Sequence, residues 1–73
     1  MGALVCARRT QLALTQVEVA ELAGVATRTV HAVEADKPTV RLDALLAVLA
    51  AVGLRLRVER GAATAVVPGP DPR

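Results

Sequence analysis

Apolar and polar positions follow a helical period over the first two thirds of the chain. Side chains spaced three or four residues apart fall on one face of a helix. This spacing predicts four helices, over 3–13, 16–23, 27–35 and 42–52. In the first helix Val5 and Leu12 share a face with Arg9, and the fourth helix carries Leu42, Leu45, Leu46 and Leu49. The pattern therefore favours a bundle of short helices.

Short local signals mark where these helices begin and end. Thr15-Gln-Val-Glu18 is a capping box, because Thr15 can accept a hydrogen bond from the amide of Glu18 and Glu18 can accept one from the amide of Thr15. Gly24 stands where the second helix has to end in a left-handed conformation, which glycine adopts without steric cost. Pro38 prevents the third helix from continuing.

Two helices joined by a tight glycine turn form a helix-turn-helix, and this segment has the spacing that such a unit requires. Counted from Gln16, the fifth, ninth, fifteenth and eighteenth positions are Ala20, Gly24, Val30 and Val33. The small residue lets the helices cross, and the two valines anchor the second helix so that its other face projects outward. An ordinary helical hairpin is the alternative.

After Gly53 the repeat of apolar and polar positions changes from the helical period to a period of two residues. Leu54, Leu56 and Val58 alternate with charged residues, which predicts a β-strand. A single strand needs a neighbour for its backbone hydrogen bonds. The strand either turns at Gly61 and pairs with residues 62–67, or pairs with the same strand of a second chain.

The end of the chain changes composition. Residues 68–73 contain three prolines, so residues 61–73 are expected to form a disordered tail. Residues 1–60 are then one helix-turn-helix domain that ends in the predicted strand, 54–60, which the resemblance described below assigns to dimerisation. No internal repeat divides this domain further.

A resemblance to the Cro and phage-repressor (Xre) helix-turn-helix family is carried by RRTQLALTQVEVAELAGVATRTVHAVEADKP. The continuation, KPTVRLDALLAVLAAVGLRLRVER, is more narrowly similar to HipB-like antitoxins. The resemblance implies an all-α fold, a lambda-repressor-like bundle of four to five short helices, followed by one C-terminal β-strand that pairs across a dimer.

The resemblance also implies which residues contact DNA. Gln16 would lie at the DNA backbone or a base edge, and the start of the third helix would enter the major groove. The residues carried over in this way are Gln16, Thr27, Arg28, Thr29, His31, Ala32, Lys37, Thr39 and Arg41. Of these, Thr29, Lys37, Thr39 and Arg41 are expected beside phosphates.

Two positions depart from the family pattern. Ala26 replaces the usual Ser or Thr cap before the third helix, which leaves Thr27 as an alternative cap. Ala32 stands where relatives have a polar reader, so Arg28 is the main candidate for a base contact. Independently of the family, an Arg on an exposed helix face can hold guanine O6 and N7 together.

Contacts within and between chains are implied as well. The dimer interface is expected to consist of Leu54, Leu56 and Val58. Arg9 and Glu34 are expected to form a structural ion pair between the first and third helices.

Composition adds a reason to expect a dimer. The 73 residues include no aromatic side chain, so a core of Ala, Val and Leu has to stabilise a small domain. The net charge is +2, and eight of the nine basic residues are Arg, which suits phosphate and guanine but also follows from a coding bias. Cys6 has no partner for a disulfide, and no signal peptide or membrane span is visible, so a cytoplasmic, nucleoid-associated protein is expected.

These observations favour a dimeric DNA-binding transcriptional repressor that is the antitoxin of a type II toxin–antitoxin module. It would bind an inverted repeat in its own promoter, and a HipA-like kinase toxin would be its protein partner. A stand-alone phage- or plasmid-type regulator is the first alternative, and an interaction module that does not contact DNA is the second. No catalytic set, metal site or cofactor is expected, and His31 is the only histidine.

Overall fold

The computed structural model describes residues 1–57 and 65–69. Its elements are α1 (Gly2–Gln11), α2 (Gln16–Ala23), α3 (Thr27–Glu34), α4 (Leu42–Ala51), β1 (Leu54–Arg57) and β2 (Ala65–Pro68). The four predicted helices are confirmed, and their ends agree with the prediction to within two residues. Within the described residues, no helix is long and apolar enough to cross a membrane.

The two local signals around α2 act as predicted. The Thr15 amide donates to Glu18 Oε1 at 2.8 Å, and the Glu18 amide donates to Thr15 Oγ1 at 3.1 Å. Gly24 ends the helix with φ 71°. The next amide, that of Val25, donates back to the carbonyl of Ala20 at 3.0 Å, which closes the last turn.

The core is aliphatic and receives side chains from every helix. Its buried members are Val5, Val19, Ala20, Val30, Val33, Val48, Leu49, Val52 and Leu54. Burying a side chain of this size stabilises the fold by roughly 1.5–3 kcal/mol. Since valine predominates, the helices have to approach closely to fill the interior.

The four leucines that mark α4 in the sequence do not all face the core. Leu42 and Leu46 are 63% and 43% exposed, whereas Val48 and Leu49 are fully buried. The sequence of this helix, LDALLAVLAA, is apolar on every side, so periodicity could not select the face that packs inward. Leu12 of the first predicted face is also 43% exposed, because α1 ends at Gln11 and no longer directs that side chain inward.

The expectation of one C-terminal strand is corrected, because the structure contains a hairpin. β1 pairs antiparallel with β2 of the same chain, from Leu54 opposite Pro68 to Arg57 opposite Ala65. This is the in-chain alternative, and it is favoured physically because a short connection costs little loop-closure entropy. β2 also lies inside the stretch expected to be a disordered tail. The predicted turn residue Gly61, residues 62–64 and residues 70–73 lie outside the described residues.

Candidate nucleic-acid interface

The α2–turn–α3 unit places one face of α3 outward. Val30 and Val33 are 0% and 4% exposed, and Ala20 of α2 is 3% exposed where the helices cross. Because these residues face the core, the other side of α3 is left on the surface. Thr27 and Arg28 at the start of α3 are both exposed.

The first turn of α3 is capped by the backbone alone. Ala26 is the N-cap, and no side-chain hydrogen bond is made there. Thr27 is the first helical residue, so the alternative in which Thr27 caps the helix is wrong. The hydroxyl of Thr27 is therefore not used for capping, and the first turn carries no acidic residue that would repel an anion.

A shallow depression joins α3 to the loop that follows it. Its volume is about 310 Å³. It is lined by Arg28, Thr29, Ala32, Thr39, Val40, Arg41 and Ala44. Five of the nine residues predicted to contact DNA therefore line one continuous surface, although they come from two separate segments of the chain.

His31 and Lys37 lie outside this depression. Both side chains are exposed, and the Lys37 amide donates to the carbonyl of Ala32 at 3.0 Å just after the end of α3. They flank the surface and do not line it.

Arg41 already has an acidic neighbour, which the sequence interpretation missed. Its Nε lies 3.3 Å from Asp43 Oδ1, with the two side chains 83% and 72% exposed. An ion pair with this much exposure is weak, because water screens both charges. A phosphate can therefore compete with Asp43 for the guanidinium.

Gln16 is the predicted DNA contact that belongs to α2, and it is held by a polar network. Its Nε2 donates to Glu34 Oε1 at 3.0 Å. Glu34 also accepts from Arg9, at 2.6 Å from Nε and 3.2 Å from Nη2. The Arg9–Glu34 pair that the resemblance implies is thus present, and Arg9 also donates to the Leu14 carbonyl at 2.9 Å.

This network shifts the pKa values of both charged members, Arg9 and Glu34. Burial raises the pKa of the Glu34 carboxyl, but hydrogen bonds from Arg9 and Gln16 and the charge of Arg9 outweigh it, so the pKa lies below its ordinary value. The hydrogen bond to Glu34 raises the pKa of Arg9 in turn. The pair therefore stays ionised at neutral pH.

Sequence reasoning missed the contact between Gln16 and Glu34. The two residues are 18 positions apart, and no periodic pattern links them. The available signal was that Gln16 begins one helix while Glu34 ends the next, but only the crossing of α2 and α3 brings those ends together.

The predicted dimer residues are placed differently from one another. Leu54 is only 5% exposed and belongs to the core of its own chain. Leu56 is partly buried and lines an open apolar depression of about 690 Å³ together with Leu46 and Ala50. Val58 lies outside the described residues.

Comparison with known proteins agrees with this geometry. A family model described as helix-turn-helix matches residues 7–58, a range that contains all nine residues predicted from the sequence to contact DNA. The chain belongs to the helix-turn-helix family. This family, of the Cro and phage-repressor type, consists of DNA-binding transcriptional regulators and not of enzymes. No curated protein matches the chain.

Proposed function

We propose that this helix-turn-helix protein is a sequence-specific transcriptional repressor that inserts α3 into the major groove of an inverted-repeat operator. The observation that carries the proposal is the exposed start of α3, Thr27 and Arg28, beside the depression that contains Thr39 and Arg41. The recognition helix of such a unit reads bases with its N-terminal residues while neighbouring segments contact the backbone.

Arg28 is the residue that reads a base. An Arg that donates to O6 and N7 of one guanine discriminates against other bases by roughly 1–3 kcal/mol. Ala32, one turn further along α3, offers only a methyl group, which suits contact with thymine and makes no hydrogen bond. Specificity beyond Arg28 then depends on Thr27, His31 and the shape of the operator.

Phosphate contacts fix the register of the protein on the duplex. The residues with this role are Thr29, Lys37, Thr39 and Arg41, while Gln16 contacts the DNA backbone or a base edge. Gln16 lies in α2 on one side of α3, and Lys37, Thr39 and Arg41 follow α3 in the chain. The two strands that border the groove would pass these two sides.

The repressor acts as a homodimer. Two-fold symmetry matches an inverted repeat, with half-sites about one helical turn, ~10 bp, or a multiple of it apart. The support is the exposed apolar surface of the C-terminal region, where Leu46 of α4 lines the same depression as Leu56 and Leu42, one helical turn earlier, is 63% exposed. Leu54 contributes by holding β1 on the core, and Val58 continues the same alternation in the sequence.

The repressor is also the antitoxin of a type II toxin–antitoxin module, with a HipA-like kinase as the toxin. The support is the similarity of residues 37–60 to HipB-like antitoxins. Co-expression with the protein encoded by the adjacent gene is expected to yield a complex and relieve toxicity. An adjacent gene that encodes no kinase would favour the stand-alone phage- or plasmid-type regulator.

The test of DNA recognition is Arg28→Ala on the protein's own upstream promoter fragment. We expect a loss of roughly 5–150-fold in affinity, mostly for the cognate sequence, because one bidentate base contact is removed. Arg57→Ala on the hairpin removes the same charge from an exposed position and is the matched control. Unchanged affinity together with a flat dependence on salt would refute direct readout by α3.

A further inference from the structure

We propose that Glu34 is a positioning residue that orients the side-chain amide of Gln16 for contact with DNA. This inference rests on the proposed function and deepens it. Gln16 is the first residue of α2 and Glu34 is the last residue of α3. Their side chains meet through the 3.0 Å hydrogen bond from Gln16 Nε2 to Glu34 Oε1.

Glu34 is itself fixed in place, which is what a positioning group requires. Its side chain is only 8% exposed, and Arg9 donates to both of its oxygens. Arg9 is anchored further by its hydrogen bond to the carbonyl of Leu14, two residues before Gln16. The acceptor for the Gln16 amide is therefore held by α1 and by the segment that leads into α2.

The charge of Glu34 determines which end of the amide faces inward. An ionised carboxylate only accepts hydrogen bonds, so it selects the NH₂ group of Gln16 and excludes its carbonyl oxygen. The amide is planar, so its second N–H and its carbonyl oxygen then point in set directions. The second N–H remains as a donor for a phosphate or a base edge.

This arrangement restricts the side-chain rotamers of Gln16 in the DNA-free protein. A free glutamine samples many rotamers and loses them when it binds a ligand. A glutamine already held in its binding orientation loses fewer, which increases affinity without any additional contact. Glu34 would in this way raise the affinity for DNA without touching it.

The first experiment examines the free protein by NMR and requires no substitution. The chain contains two glutamines, Gln11 and Gln16, and no asparagine, so only two side-chain NH₂ groups of this kind appear in the spectrum. Gln11 is exposed and serves as the internal reference. We expect the Gln16 NH₂ group to be more rigid than that of Gln11 and to exchange its hydrogens with water more slowly. The chemical shifts of the Gln16 NH₂ group should follow the titration of Glu34, whereas those of Gln11 should not.

The second experiment is a double-mutant cycle in DNA affinity, with Gln16→Ala, Glu34→Gln and the double variant. We expect Gln16→Ala to weaken binding about tenfold, since it removes a hydrogen bond to a charged group. Glu34→Gln should weaken binding several-fold in the original background but not further once Gln16 is Ala. An equal factor in both backgrounds would mean that Glu34 only maintains the fold, and would overturn the proposal.

The two experiments distinguish a failure of the positioning role from a failure of the proposed DNA-binding function. If Arg28→Ala and the cycle both leave DNA binding unchanged, the DNA proposal fails, and the NMR result still reports whether Glu34 holds Gln16. A Gln16 amide as mobile as that of Gln11 overturns the positioning role even if DNA binds. If Glu34→Gln does not fold, the NMR comparison in the unsubstituted protein decides alone.

Discussion

The helix-turn-helix and the C-terminal region are stabilised by different kinds of contact. Around α2 and α3, directional hydrogen bonds join named atoms: the capping box at Thr15 and the Arg9–Glu34–Gln16 network. In α4, apolar packing predominates, and Leu42 and Leu46 remain on the surface, while backbone pairing joins the two strands of the hairpin. A hydrogen bond specifies a direction, whereas apolar burial depends mainly on area. The first region is therefore suited to placing side chains against DNA, and the second to association.

The largest expected effect tests whether α4 has a distinct inward side. Leu49→Ala should lower the free energy of unfolding by about 2–5 kcal/mol, because Leu49 is fully buried and its truncation leaves a cavity. Leu46→Ala, the same substitution on the same helix at a position 43% exposed, is the control. Urea unfolding monitored by circular dichroism measures both.

The control variant carries a second expectation. Leu46→Ala should change the unfolding of the monomer little but shift sedimentation equilibrium toward the monomer, because it removes apolar surface beside Leu56. Similar destabilisation by the two variants would show that α4 has no preferred face, and the contrast between the regions would be lost.

The next effect tests the polar network. Glu34→Ala should lower the free energy of unfolding by about 3 kcal/mol, since it leaves the largely buried Arg9 guanidinium without its carboxylate. Asp43→Ala breaks the exposed pair with Arg41 and should have almost no effect. Equal losses would contradict the assignment of the network as the element that joins α1 to α3.

The smallest effect is a dependence on pH. The pKa of Glu34 is lower in the folded protein than its ordinary value of 4.5, so the unfolded chain binds the proton more readily. The stability that Glu34 contributes is therefore fully present above pH 4.5 and is lost as the pH falls through the lowered folded pKa.

Urea midpoints measured at successive pH values down to pH 3 would show this loss. Glu34→Gln should flatten that part of the profile, whereas Asp43→Asn should leave it unchanged. An unaltered acid profile in Glu34→Gln would assign the loss to other carboxylates.

Local signals predicted the helix-turn-helix well because each depends on neighbours in the chain. The capping box needs residues three apart, and the turn needs a residue that tolerates a positive φ, which Gly24 supplies. The outward side of α3 followed from the anchoring valines, Val30 and Val33. The exposed positions of α3 were predictable for this reason.

Local sequence signals were insufficient where one sequence pattern is compatible with several three-dimensional arrangements. The strand at Leu54 could pair within the chain or with a second chain, and its alternation is the same in both cases. Ala26 suggested that Thr27 would cap α3, but the backbone of Ala26 performs that role without a side chain.

The sequence by itself determined four helices, the position of the turn and the residues that α3 exposes, because periodicity and capping act over a few residues. The tertiary structure decided which side of α4 is buried, which strand pairs with β1 and which group holds Gln16. Each of these depends on segments distant in the chain that meet only when the helices pack, and no spacing along the sequence encodes that meeting.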